Sequence, residues 1–187
     1  MCIRDSGIGA ALLMASARAV LRSHALDHGN NVHELFADIN VHLVRDTGEM
    51  RFLTLFYGVL DAENHSLIYA SAGHDPGLWY HAADRTIDEL GPTGIPLGIL
   101  DSAEYTQNGP LAILPGDVLV LTTDGVREAR NTSKEMFGAE RLKEVLLNSA
   151  DQPAKEIQAR IVQAVRDFQN GHAQEDDITL VVIKCVK

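Results

Sequence analysis

The sequence predicts an α+β fold, antiparallel sheets with helices packed on them, and three observations carry that prediction. Apolar residues recur at helical spacing over residues 7–43. From residue 51 the pattern becomes that of strands and turns. Two further helical stretches then separate this block of strands from one last apolar strand near the C-terminus.

Ile8, Leu12, Leu13, Ala17, Val20 and Leu21 lie on a helical period, and Gly29 with Asn30 ends the run, so residues 7–28 read as a helix. Val32, Leu35, Phe36, Ile39 and Leu43 share one face of a second. Residues 51–60 (RFLTLFYGVL) are rich in aromatic and β-forming side chains, and residues 61–64 make a turn. Residues 66–72 (SLIYASA) return as the partner strand of a hairpin. Residues 78–81 and 86–90 form a shorter hairpin, and residues 91–98 (GPTGIPLG) are too punctuated for regular structure. A short strand over 111–114 leads to a tight Pro115-Gly116-Asp117 turn. The uninterrupted VLVLTT of 118–123 reads as a strand buried on both faces. Helices over 139–148 and 153–168 and a final strand over 178–186 complete the chain, with no repeats, low-complexity tracts or linkers.

The 187 residues fit one domain, and 45% hydrophobic with 22% charged residues is an ordinary globular composition. No apolar run reaches the roughly 18 residues of a membrane span. The first residues lack the basic head and apolar middle of a signal peptide. Cys2 and Cys185 are too isolated for a disulfide framework or a zinc cage. A cytoplasmic setting is therefore expected. The net charge of −10, from 26 acidic and 16 basic residues, argues against nucleic-acid binding, which wants a basic face. An acidic protein that holds phosphate must reverse its local field, and bound divalent cations are the usual means. Read alone, the charge equally describes a surface kept soluble by carboxylates.

The strongest chemical signal is Thr122-Thr123-Asp124-Gly125. Asp124 stands where a buried strand ends, so it is held as rigidly as a metal ligand must be, and Gly125 lets the chain turn tightly. Asp-Gly is also common turn chemistry. The second signal is Glu175-Asp176-Asp177, immediately before the last apolar strand. Hard cations such as Mg²⁺ and Mn²⁺ take oxygen ligands, and carboxylates on neighbouring strand ends can share an ion. If the two strands pair antiparallel, Asp124 and Asp176 converge; otherwise the acidic run is a solvated loop. His74, in the turn Ala72-Gly73-His74-Asp75-Pro76, reads first as a structural turn residue, and otherwise as a proton donor or substrate contact. His24 and His28 stand four apart on a helix, but the sequence offers no evident third ligand and the pair is set aside. Gly7-Ile8-Gly9 follows no strand and is not a dinucleotide fingerprint.

In order, GIGAALLMASARAVLR (7–22), FLTLFYGVLD (52–61), YASAGHDP (69–76), GPTGIPLGIL (91–100), LPGDVLVLTTDGVREARN (114–131), MFGAERL (136–142) and EDDITLVVI (175–183) resemble the PPM serine/threonine phosphatases. The resemblance is to the bacterial branch of the sporulation stage II phosphatase and RsbU-type stress regulators. It implies an αββα sandwich of two mainly antiparallel sheets flanked by helices. It also implies two Mn²⁺ or Mg²⁺ ions at one edge, and a metal-bridged water that attacks phosphoserine or phosphothreonine. The implied substrate is a phosphorylated regulatory protein such as an anti-sigma-factor antagonist, and relatives often carry an upstream sensor or receiver domain. By the same pattern Asp124 and Asp176 are metal ligands, and Asp177, where many relatives have asparagine, ranks after them.

The resemblance stops between Ser6 and Gly7. Aligned back from Gly7, the family's ion-bridging aspartate falls on Cys2 and its histidine on Ser6. Residues 1–6 are therefore expected to be a non-native lead, with 7–187 a phosphatase domain incomplete at its N-terminus and weak in metal binding and catalysis. A catalytically dead pseudophosphatase that binds phosphoproteins is the alternative. An unrelated metal-dependent hydrolase such as a nuclease fits neither the acidic balance nor the ordered motifs.

Overall fold

The computed structural model describes residues 2–3, 8–47 and 52–186. The expected lead over 1–6 is thus represented by Cys2 and Ile3 alone, its other residues lying outside the described ones. In chain order the elements are β1 (Cys2–Ile3), α1 (Ile8–His28), α2 (Val32–Thr47), β2 (Leu53–Asp61), β3 (Ser66–Ala72), β4 (Gly77–His81) and β5 (Thr86–Leu90). They continue with β6 (Asn108–Ala112), β7 (Val118–Thr122), α3 (Asp124–Arg127), α4 (Gly138–Ser149), α5 (Ala154–Gln169) and β8 (Leu180–Lys184). The α+β class with two antiparallel sheets is borne out.

The chain divides into two units, Met1–His74 with Gly91–Ala112 and Asp75–Leu90 with Ile113–Lys187. The first carries the sheet β1-β2-β3-β6. Leu35, Phe36, Ile39 and Leu43, one face of α2, pack with Leu13 and Ala17 of α1 against Leu53, Leu55, Ala70 and Ala72. Asn40 is buried on that apolar face. Its cost is offset by three hydrogen bonds: Nδ2 donates to Leu100 O at 2.8 Å, and Oδ1 accepts from Gly98 N at 2.8 Å and Tyr105 OH at 3.1 Å.

The second unit carries the sheet β5-β4-β7-β8. Leu78, Tyr80, Val118 and Val120 pack with Leu142 and Leu146 of α4 and Ile157, Ile161 and Val165 of α5. Ahead of β7, the buried Asp117 fixes the turn: its Oδ1 accepts from Ala82 N and its Oδ2 from Leu114 N, both at 2.9 Å.

Three elements differ from the sequence reading. The strand expected over 111–114 lies at Asn108–Ala112, because an edge strand tolerates Pro110, which donates nothing to the ladder. The last strand is shorter than 178–186 and only partly buried, since β8 is also an edge and Val181 is exposed. Asp124-Gly125 is not a bare turn; it opens the single helical turn α3.

Candidate metal centre

Strands β7 and β8 pair antiparallel with Thr122 opposite Leu180, so the end of one lies beside the start of the other. The contact continues past the strands through Thr123. Its N–H donates to Thr179 O at 3.1 Å; its Oγ1 accepts from Thr179 N at 3.0 Å and donates to Asp177 O at 3.1 Å. Thr123 occupies the N-cap of α3, yet its hydroxyl makes no cap bond and is spent across the strand gap. Gly125 then passes so close to Asp177 that a Cβ there would overlap the Asp177 carbonyl oxygen. Its φ is not in the left-handed region, so close approach and not turn geometry calls for glycine.

These contacts set Asp124 and the Asp176-Asp177 pair on one lip of the second unit. Asp124 is half-buried, and its Oδ1 accepts from Gly125 N at 3.0 Å. Asp176 and Asp177 are exposed; Asp176 Oδ1 accepts from Asp177 N at 2.7 Å, and its carbonyl accepts from Gln174 Nε2 at 2.8 Å. A cleft of about 100 Å³ opens beside them, lined by Gly125, Glu128, Ala129, Arg130, Gln169, Gln174, Glu175 and Asp176. Arg130 Nε lies 3.6 Å from Glu175 Oε2 on its rim.

The three carboxylates share a lip without closing into a cage. Among the described residues, the group whose ligand atoms all lie within 4.8 Å of one another is elsewhere, at His24, His28 and Asp38. An all-oxygen set of one or two aspartates nevertheless suits a hard cation. Mg²⁺ keeps several waters and is commonly held by that many carboxylates together with substrate phosphate oxygens.

His74 is buried in the first unit, its Nδ1 3.3 Å from Thr54 Oγ1. Gly73 before it has φ 60°, and a Cβ there would run into Pro96, which fixes the turn. The residues missed by sequence reasoning are Thr123 and Arg127. Arg127 Nη2 donates to Pro76 O, tying α3 to the turn before β4, while its buried Nε has no hydrogen-bond partner among the described residues. The doubled threonine before Asp124 was the available signal for Thr123; nothing local marked Arg127.

A family model described as stage II sporulation protein E (SpoIIE) matches residues 3–186. Phosphoserine phosphatase RsbU of Bacillus subtilis (strain 168) is 32% identical over 181 residues, covering 95% of this chain and 52% of that protein. Protein IcfG of Synechocystis sp. is 32% identical over 206 residues, covering 96% of this chain and 32% of that protein. The chain therefore spans about half the length of one relative and about a third of the other. Among solved structures, the SiaA-PP2C domain of Pseudomonas aeruginosa matches with TM-score 0.78 at 21% identity, over 97% of this chain and 72% of that one. The RsbU and RsbW domains of Rv1364c from Mycobacterium tuberculosis match with TM-score 0.76 at 23% identity, over 98% and 51%. At these identities the two structures establish a common fold.

Proposed function

This chain belongs to the SpoIIE family of PPM-type phosphatase domains, and on that premise we propose that it is a metal-dependent phosphoprotein phosphatase acting on phosphoserine or phosphothreonine. The proposed substrate is a phosphorylated regulatory protein, such as an anti-sigma-factor antagonist. The single observation that carries the reading is the Thr123–Asp177–Thr179 clamp, which fixes two acidic strand ends on one lip.

Asp124, Asp176 and Asp177 would hold Mn²⁺ or Mg²⁺, two ions in the intact domain. A divalent ion there supplies charge neutralisation for a phosphate monoester and a water acidic enough to attack phosphorus near neutral pH. The chain's own residues hold the geometry: Thr123 pins the lip, Gly125 lets the tips meet, and the rigid β7 end keeps Asp124 from swinging. Local cations would also reconcile a net charge of −10 with an anionic substrate.

The same proposal expects weak turnover from the chain as it stands. Cys2 pairs with Thr54 in β1–β2, at the position where the resemblance puts an aspartate. The test is phosphate release from a phosphoserine protein by this 187-residue chain supplied with Mn²⁺. Release that requires Mn²⁺, and that EDTA or Asp124→Asn abolishes, is the expected result. Turnover surviving both chelation and that substitution would refute the reading. Phosphoprotein binding without turnover would favour the pseudophosphatase, for which the open arrangement of the three carboxylates is the supporting observation.

A further inference from the structure

The α1–α2 hairpin brings together a second set of metal-ligating side chains, chemically unlike the carboxylate lip. His24 and His28 lie one turn apart on α1, and α2 supplies Asp38, with one ligand atom of each within 4.8 Å of the others. Asp38 Oδ2 lies 2.8 Å from His28 Nε2 and 3.9 Å from His24 Nδ1. This is the third ligand that the sequence did not reveal. One turn beyond Asp38, the His42 ring centroid is 6.0 Å from that of His24. Two residues spaced i, i+4 on one helix thus face two at the same spacing on its neighbour.

A second observation fits a metal site. His28 turns its other nitrogen, Nδ1, toward Glu34 Oε2 at 3.6 Å. A carboxylate behind the far nitrogen of a ligating imidazole is the usual outer partner of a metal-bound histidine, and drawn in to hydrogen-bond distance it would fix the ring's tautomer and raise its basicity. Imidazole with carboxylate suits Zn²⁺ in preference to Mg²⁺ or Mn²⁺, which favour oxygen alone. Ligand atoms around a tetrahedral zinc stand about 3.3 Å apart, given bonds of about 2.0–2.1 Å, a value that the 2.8 Å and 3.9 Å separations from Asp38 Oδ2 bracket. All four residues are partly exposed, which leaves the ion a path in.

We infer that His24, His28 and Asp38 bind a Zn²⁺ ion, with His42 in the fourth position, and that the ion cross-links α1 to α2. The site is independent of the carboxylate lip. The 187-residue chain, stripped with chelator and dialysed against metal-free buffer, should take up one Zn²⁺ in calorimetry and melt at a higher temperature with it. His24→Ala with His28→Ala should lower that affinity by more than the roughly 10–100-fold that outer partners contribute, and remove the thermal shift. Glu34→Gln should weaken binding by about tenfold. His42→Ala, with water in its place, should weaken it while keeping the stoichiometry. Circular dichroism guards against misfolding of the double variant; if it fails to fold, Asp38→Asn gives the same reading. Zn²⁺ uptake unchanged in the His24/His28 variant, or lost instead in Asp124→Asn/Asp176→Asn, would overturn the site, as would no uptake at all.

Discussion

Gly125 and Asp177 meet backbone to backbone, with no room between them for a single methyl group. Asp177 O also accepts from Thr123 Oγ1, so that carbonyl is fixed from one side and crowded from the other. Gly125→Ala is therefore expected to push the tips of β7 and β8 apart at an overpacking cost of about 1–3 kcal/mol. Urea unfolding should show the loss, and Mn²⁺ titration should show weakened binding. Gly91→Ala is the control, since a Cβ there meets nothing within 4 Å and φ is unexceptional. Equal behaviour of the two variants would remove the close approach as the reason for glycine at 125.

Thr123→Val keeps the shape of the side chain and deletes the hydroxyl. The Thr179 N–H then loses its acceptor and Asp177 O its donor, in a residue with only 9% of its surface exposed. An unsatisfied buried donor costs about 1–3 kcal/mol, so the unfolding midpoint should fall by a comparable amount. Thr123→Ser restores the hydroxyl and should recover most of the loss. If valine is tolerated as well as serine in both denaturation and Mn²⁺ titration, the clamp is not what holds the lip.

Helices α1 and α2 and the hairpins β2–β3 and β4–β5 were legible because a period of 3.6 or 2 is written directly into the residues that must face a core. Strand β6 was misplaced because Gly109-Pro110 reads as a breaker, and only the sheet order reveals an edge where proline does no harm. The turn α3 is shorter than any window that shows periodicity. At the lip, Asp124 and Asp176 stood out because each borders an apolar strand, and antiparallel pairing supplied the rest. Asp38 was silent: ten residues separate it from His28, a spacing that carries no motif, and only the packing of α1 on α2 brings the two together. Asn40 and Tyr105 were silent for the same reason, their partnership spanning 65 residues of sequence.

That partnership gives the fold a dependence on alkaline pH. Tyr105 is buried, with its ring edge-on to Phe36 at 5.9 Å and its hydroxyl donating to Asn40 Oδ1. Burial disfavours the phenolate and pushes the Tyr105 pKa up to about 12. In the unfolded chain the same group titrates near its ordinary value of about 10. The folded pKa is the higher one, so the protonated form belongs to the native state. Its contribution is fully present below about pH 10 and is lost as pH rises toward about 12, because the unfolded chain ionises first. Tyr105→Phe removes both the proton and the bond to Asn40, and at about pH 8 it should cost about 0.5–1.5 kcal/mol. Between about pH 10 and about pH 12 wild type should lose stability faster than the variant, so the gap between them closes. Urea unfolding of both proteins across that range measures it, since the two differ at Tyr105 alone. A gap that stays constant with pH would mean that the Tyr105 hydroxyl ionises as readily in the fold as outside it.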